Sequence, residues 1–183
     1  MNTPIKTHDI RRVAVLGSGV MGSAIACHLA QTGSEVLLLD LPSKEGPRNA
    51  PAEGALKASL KSKPSPLYSK RFVNRIECGN FDDDLERISD CDWIIEVIIE
   101  RLDFKQQLFE RVEKFRKPGT LITSNTSGIP ISQLSEGRSD DFQKNFCGTH
   151  FFNPPRYLQL LEIIPGPKTE QRVVDFFMGY GES

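Results

Sequence analysis

Several features are missing from this chain of 183 residues, and each absence excludes a class. No apolar run approaches the roughly 20 residues that a membrane helix needs, so no membrane partner is expected. The segment from Met1 to Arg12 has no apolar core followed by a small-residue cleavage site, so no secretory leader is expected. The four cysteines, Cys27, Cys78, Cys91 and Cys147, are far apart and form no CxxC pair. That spacing argues against a zinc site, a dithiol redox centre or a disulfide scaffold, and no metal is expected. An excess of one charge is also lacking. Lys plus Arg is 23 and Asp plus Glu is 24, for a net charge of −1, which is not the footprint of a nucleic-acid binder. No internal repeat is present. The expectation is a reduced, cytoplasmic α/β domain, long enough for one buried core and short for two. The chain stops at Gly181-Glu182-Ser183, just after an expected helix, so the length is expected to describe part of a longer polypeptide.

What is there begins with Val13 to Leu16, a continuous apolar run ending at Gly17, as in a strand buried on both faces. Val20 to Gln31 has helical patterning, with Ile25, Leu29 and Ala30 on one side, and Thr32-Gly33 ends it. Val36 to Leu39 is a second buried strand, ending at Asp40. Strand, helix and strand within about 30 residues make one βαβ unit with a right-handed crossover. The rhythm then breaks. From Leu41 to Arg75 there are eight basic residues (Lys44, Arg48, Lys57, Lys61, Lys63, Lys70, Arg71, Arg75) and two acidic ones (Glu45, Glu53). This arm carries about +6 and leaves about −7 on the rest. Ala52 to Lys63 has the composition of a helix, stopped by Pro64 and Pro66. The arm is read either as a solvated excursion or as a surface for an anionic ligand.

Beyond the arm the rhythm resumes. Strands are expected over Arg75 to Cys78, Trp93 to Ile99, Thr120 to Thr123, Phe146 to Phe151 and Leu158 to Ile164. Helices are expected over Asp84 to Ser89, Asp103 to Phe115, Ile131 to Leu134 and Thr169 to Tyr180. The fold class is therefore α/β, a Rossmann-like, doubly wound and mostly parallel sheet with a helical arm after the second strand.

Gly17-Ser18-Gly19-Val20-Met21-Gly22 is a GxGxxG stretch in its required context, with a buried strand before it, a helix after it and an acid at the end of the next strand. Gly17 permits a tight turn, Gly19 leaves room for a pyrophosphate, and Gly22 lets helix and strand pack closely. The helix N-terminus supplies N–H donors for the phosphates. Asp40 is placed for the adenosine ribose hydroxyls and repels a 2′-phosphate, which favours NAD over NADP. Lys44 and Arg48 lie near enough in sequence to soften that preference.

Three further groups carry chemistry. Ser124-Asn125-Thr126-Ser127 follows a strand. It fits either a ligand-binding strand end or a simple turn or cap. His150 lies in an apolar strand, where a lone histidine is usually a core residue. Glu162 lies in Leu160 to Ile164, where an unpaired carboxylate is costly to bury. Together they form a pair suited to alcohol oxidation, the imidazole accepting the hydroxyl proton and the carboxylate orienting it. Glu96, Glu100 and Lys105 surround the end of the Trp93 strand, and Glu100 and Lys105 either line the crevice or form a solvated ion pair. Of the remaining histidines, His8 precedes the first strand and His28 reads as structural on the first helix.

Val15 to Gly22, Glu96-Val97-Ile98-Ile99-Glu100, Ser124 to Ser127 and His150-Phe151-Phe152-Asn153-Pro154, in that order, resemble the NAD-binding domain of L-3-hydroxyacyl-CoA dehydrogenases. The resemblance spans roughly residues 10 to 180 and is closest to long bacterial members that also carry an enoyl-CoA hydratase module. It implies that His150 is the general base in oxidation, with Glu162 twelve residues on as its partner. Ser127 is implied to contact both nicotinamide and the substrate's oxygenated carbon. Asp40, Glu100, Lys105 and Asn153 match cofactor contacts, and Asn125 lies beside the nicotinamide. The arm matches one that lies over the CoA nucleotide, with Ser59 and Lys63 nearest to its CoA contacts. An acyl-CoA substrate is thus implied. A C-terminal helical domain, which in this family completes the acyl pocket and most of a dimer interface, has no counterpart in these residues. A homodimer is expected only with that domain, and the chain alone is expected to bind NAD and turn over slowly or not at all. Other readings are a β-hydroxyacid dehydrogenase with a lysine base, a polyol or sugar-acid dehydrogenase that keeps the His–Glu pair, and a non-catalytic NAD-binding module.

Overall fold

The structure is a computed structural model that describes residue 5 and residues 10–182; His8 lies outside the described residues. Its elements are β1 (Arg12–Leu16), α1 (Val20–Thr32), β2 (Glu35–Asp40), α2 (Ala50–Ser59), β3 (Ile76–Asn80), β4 (Trp93–Glu96), α3 (Leu102–Phe115), β5 (Leu121–Ser124), α4 (Ile131–Leu134), α5 (Asp140–Lys144), β6 (Phe146–Phe151), β7 (Leu161–Pro165) and α6 (Gln171–Glu182). They build one seven-stranded sheet in the order β3-β2-β1-β4-β5-β6-β7. Pairing is parallel from β3 through β6, and β7 joins antiparallel. This is the Rossmann-like sheet expected from the βαβ rhythm. The strand order reverses at β1, with β2 on one side and β4 on the other, so a crevice opens beyond the C-terminal ends of those strands.

The apolar runs are continuous because both faces of the sheet are covered. On β1, Val13 and Val15 face a cluster containing Ile25, Leu29, Leu38, Trp93 and Phe177. Ala14 and Leu16 face the opposite cluster, with Leu37, Leu39, Leu85, Leu108 and Val112. A third cluster, Phe109, Ile122, Leu134, Phe142 and Phe146, seats α4 and α5 beside α3. Trp93 starts β4 fully buried; its indole N–H donates to Thr123 Oγ1 at 3.0 Å and its ring packs against Phe177 and Tyr180. Among the described residues no helix is long and apolar enough to cross a membrane. All four cysteines are free, and burial pushes their thiols up to about 11 or 12, out of the reactive range.

Several boundaries differ from the sequence reading. β4 ends at Glu96 rather than Ile99. The Glu96 carboxylate captures the Ile98 N–H at 2.7 Å and turns the chain out of the sheet. The arm helix runs from Ala50, because a proline is tolerated in a first turn where its missing N–H has no partner to lose. It ends at Ser59, ahead of Pro64. Asp140–Lys144 is a short helix that the pattern alone did not mark; the Ser139 hydroxyl caps it by accepting the Phe142 N–H. Lys70–Arg75 is a 3-10 turn, and the expected helix near Asp84 is a 3-10 turn over Leu85–Asp90. β7 covers Leu161–Pro165 and lies at the sheet edge with much of its surface exposed.

The glycine loop joins β1 to α1 under tight steric limits. Gly17 has φ 110°, a left-handed conformation that only glycine adopts freely. Its N–H donates to Leu39 O at 2.7 Å. A Cβ on Gly22 would lie 1.8 Å from the Gly17 carbonyl oxygen, whereas a Cβ on Gly19 would meet nothing within 4 Å. Gly22→Ala is therefore expected to lower the unfolding free energy by about 1–3 kcal/mol or more. Gly19→Ala should change it by about 0.5 kcal/mol or less. Urea unfolding of the two variants beside the wild type measures both; equal losses would contradict this account.

Candidate functional site

At the mouth of the crevice, the N-terminus of α1 has free N–H donors and no side-chain cap, and its first turn carries no acid. The open space beside Gly19 lies next to these donors, so the loop fits a bound phosphate. Ser18 and Val20 line the same opening, while Met21 leans back against the core. Asp40, at the end of β2, accepts the Ser18 N–H at 2.7 Å and the Ser18 hydroxyl on one oxygen, and the Leu41 N–H at 2.7 Å on the other. The carboxylate thus anchors the loop and stands at the strand end where the ribose reading requires it. Arg48 is engaged elsewhere, donating to both Asp83 oxygens at 2.5 and 2.9 Å.

The centre of the crevice is held by a buried ion cluster. Glu96 and Lys105 are 0% and 1% exposed. The Lys105 ammonium donates to Glu96 Oε1 at 2.6 Å and to Ile98 O at 3.3 Å, and lies 3.2 Å from Glu100 Oε2. Its three N–H groups are thereby matched by three acceptors within the protein, so the side chain sits behind the crevice wall and not on it. Glu96 also accepts the Ser124 hydroxyl at 2.5 Å on its other oxygen. Glu100 Oε1 accepts the Thr126 hydroxyl and the N–H groups of Ser127 and Gly128 at 3.1 and 3.0 Å. Burial alone would raise the Glu100 carboxyl, but the Thr126 hydroxyl, the Gly128 N–H and Lys105 outweigh it and hold it down to about 2. The Ser124–Ser127 segment is therefore a loop set by two carboxylates, and its exposed member is Ser127. Asn125 Oδ1 accepts the Phe151 N–H at 2.9 Å, tying this loop to the end of β6 beside His150.

His150 and Glu162 face each other across the β6–β7 register, and His150 Nδ1 lies 2.7 Å from Glu162 Oε2. The pairing expected from the sequence is present, but the premise behind it is not. Glu162 is exposed, with half of its side chain accessible, because β7 is an edge strand. His150 is one-fifth exposed. A carboxylate only accepts, so this contact takes its N–H from Nδ1, and in a neutral imidazole the lone pair is then on Nε2. His28 lies on α1, where burial lowers its pKa and its ring packs against Phe151.

A cleft of about 460 Å³ runs from Ser18, Gly19 and Val20 to Ser59 and Lys63 of the arm and to Asn153 and Arg156 after β6. The fold thus brings Ser59, Lys63, Asn153 and the glycine loop around one space. Ser59 also bonds the Cys27 thiol, which fastens the end of α2 to α1. Arg156 was not named from sequence, and Glu96, Ser124 and Thr126 were named only within their stretches, with no role of their own. A glutamate inside the apolar run Trp93 to Ile99 was the one available sign that a buried cation faced it.

Because the folded-state pKa of Glu100 is depressed from 4.5 to about 2, its bonds stabilise the fold above the unfolded pKa. That contribution is lost as the pH falls from about 4.5 to about 2. The stability difference between wild type and Glu100→Gln should be constant above about pH 5 and shrink toward pH 2. Denaturant titrations across that range measure it, and a difference that does not vary with pH would contradict the assignment.

The comparisons with known proteins agree with this geometry. The profile of the 3-hydroxyacyl-CoA dehydrogenase, NAD binding domain, matches residues 12–183. A Bacillus subtilis protein named "Probable 3-hydroxyacyl-CoA dehydrogenase" is 46% identical over 189 residues, covering 95% of this chain and 24% of its own. A Deinococcus radiodurans protein of the same name is 49% identical over 174 residues, covering 94% of this chain and 50% of its own. The chain therefore spans about a quarter and a half of these relatives. The crystal structure of 3-hydroxybutyryl-CoA dehydrogenase from Escherichia coli K12 superposes with a TM-score of 0.79 at 28% identity, over 94% of this chain and 36% of that one. Sheet order, glycine loop and profile agree: this chain belongs to the 3-hydroxyacyl-CoA dehydrogenase family and carries its NAD-binding domain.

Proposed function

We propose that the protein to which these residues belong oxidises (S)-3-hydroxyacyl-CoA to 3-oxoacyl-CoA in cytoplasmic fatty-acid metabolism. Residues 10–183 serve as the NAD-binding domain, with the basic arm over 41–70 placed along the CoA. A helical domain outside these residues would complete the acyl pocket and the dimer interface. The single observation that carries the reading is the 2.7 Å pair between His150 Nδ1 and Glu162 Oε2 at the edge of the sheet that also carries the glycine loop. NAD, when bound, supplies the acceptor for the hydride from C3. The α1 N-terminus beside Gly17, Gly19 and Gly22 would hold its phosphates, and Asp40 would take its ribose hydroxyls.

The remaining steps belong to side chains of this chain. His150 Nε2 accepts the proton of the substrate's 3-hydroxyl. Glu162 keeps the imidazole in the productive tautomer and stabilises the imidazolium that forms. The Ser127 hydroxyl, exposed at the end of β5 and held through its N–H by Glu100, reaches both the nicotinamide and the substrate oxygen. Asn125 and Asn153 flank the nicotinamide. Glu100 and Lys105 act on the cofactor side by setting the Ser127 loop, with Glu100 the member that meets the crevice. Ser59 and Lys63 contact the CoA portion.

In a chain that carries the family's helical domain, His150→Ala is expected to lower kcat about 10²–10⁴-fold, with the NAD dissociation constant within about twofold. Initial rates with acetoacetyl-CoA and NADH, run in the reductive direction, measure the first, and fluorescence titration of NADH the second. A kcat within a few-fold of wild type would remove His150 from its role.

A further inference from the structure

The charge split of the sequence persists in the fold as a split in pairing. Every Lys and Arg from Arg87 to Lys144 lies within ion-pair distance of a carboxylate. Of the eight basic residues between Leu41 and Arg75, only Arg48 has such a partner among the described residues. Seven of these eight residues thus have no carboxylate partner among the described residues, and one of the seven, Lys63, lines the cleft. Two cations line that cleft, Lys63 from the arm and Arg156 from the segment after β6. Neither has a carboxylate within reach among the described residues.

Arg156 is the better organised of the two. Its guanidinium stacks 3.8 Å over the Tyr68 ring, and its Nη1 donates to Ser65 O at 2.7 Å and lies 3.2 Å from the Tyr157 hydroxyl. The Tyr157 hydroxyl donates to the same Ser65 carbonyl at 3.1 Å. These contacts fix the plane of the fork and fasten the post-β6 segment to the arm, yet they engage only Nη1. The Nε and Nη2 donors remain as an oriented pair, the geometry that binds a phosphate through two parallel bonds. A guanidinium held flat on an aromatic ring loses little freedom on binding, which is what an affinity anchor requires.

We propose that Arg156, lining the same cleft as Lys63, clamps a phosphate of the acyl-CoA and is the residue by which this protein distinguishes coenzyme A from an unphosphorylated acyl carrier. The inference rests on the hydroxyacyl-CoA reading and adds to it a contact from the segment after β6. The alternative phosphate is the dinucleotide's, but that pyrophosphate already has the N–H donors of α1 and needs no side-chain cation.

The test is titration calorimetry of this chain with coenzyme A, pantetheine and NAD as separate probes. Arg156→Met, which keeps the stem and removes the charge, should weaken coenzyme A about ten- to a hundredfold. It should leave NAD and pantetheine within about twofold. Arg156→Lys, which keeps the charge and loses the fork, should recover only part of the affinity. Unchanged NAD affinity shows that the variants fold. The clamp is overturned if wild type does not bind coenzyme A, if Arg156→Met binds it as wild type does, or if NAD weakens equally, which would place the contact on the dinucleotide. Arg156-dependent binding of coenzyme A without hydroxyacyl-CoA oxidation by the longer protein would sink the functional reading and keep the clamp. Oxidation of hydroxyacyl-CoA with an unaffected Arg156→Met variant would do the reverse.

Discussion

The ammonium of Lys105 holds the middle of this structure together. It sits out of water between the carboxylates of Glu96 and Glu100, one at the end of a strand and one at the start of the turn into α3. A lone charge at such depth would be very costly, and here each charge is matched and hydrogen-bonded. The consequences spread outward from this one group. Glu96 accepts the Lys105 ammonium and the Ile98 N–H on one oxygen and the Ser124 hydroxyl on the other, and ends β4. Glu100, held by the same ammonium, gathers Thr126, Ser127 and Gly128. Removing Lys105 would leave the Glu96 carboxylate buried without its cation, a loss of about 3–5 kcal/mol by general experience with broken buried pairs.

The same cluster decides which groups face the crevice. Ser127 is the member of the Ser124–Ser127 loop with an exposed hydroxyl because its neighbours spend theirs on Glu96 and Glu100. Asn125 joins the loop to the backbone at Phe151, so the strand end that presents Ser127 and the one that presents His150 are fastened to each other. Two motifs far apart in sequence become one surface through a single side-chain amide.

Charge works differently at the cleft. Where the fold needs rigidity, cations meet carboxylates; where a ligand is expected, they do not. The near-zero net charge thus hides many neutralised pairs beside a cleft lined by two cations, Lys63 and Arg156, that have no carboxylate partner among the described residues, which suits a substrate bearing several phosphates.

Local pattern carried much of this. Apolar runs beside Gly17 and Asp40 determined buried parallel strands, because only a sheet covered on both faces tolerates them. The glycine spacing determined the loop, because a Cβ on Gly22 would lie only 1.8 Å from the Gly17 carbonyl oxygen, which leaves no room for a side chain. The pairing of His150 with Glu162 was legible as chemistry, though for a reason the fold corrects: Glu162 lies on an exposed edge strand and is paired by register, not by the cost of burial. What sequence left open depended on contacts between distant segments. Whether Lys105 lined the crevice or lay behind it turned on a carboxylate nine residues earlier reaching the same point in space. Whether the arm was a solvated excursion or a wall turned on α2 burying Ala52 and Leu56 against the core and on Arg156 bonding Ser65, 91 residues away. Periodicity and spacing report the faces that a segment presents. Which groups neutralise which charges is set only when the chain has folded, because it depends on distances that no local pattern encodes.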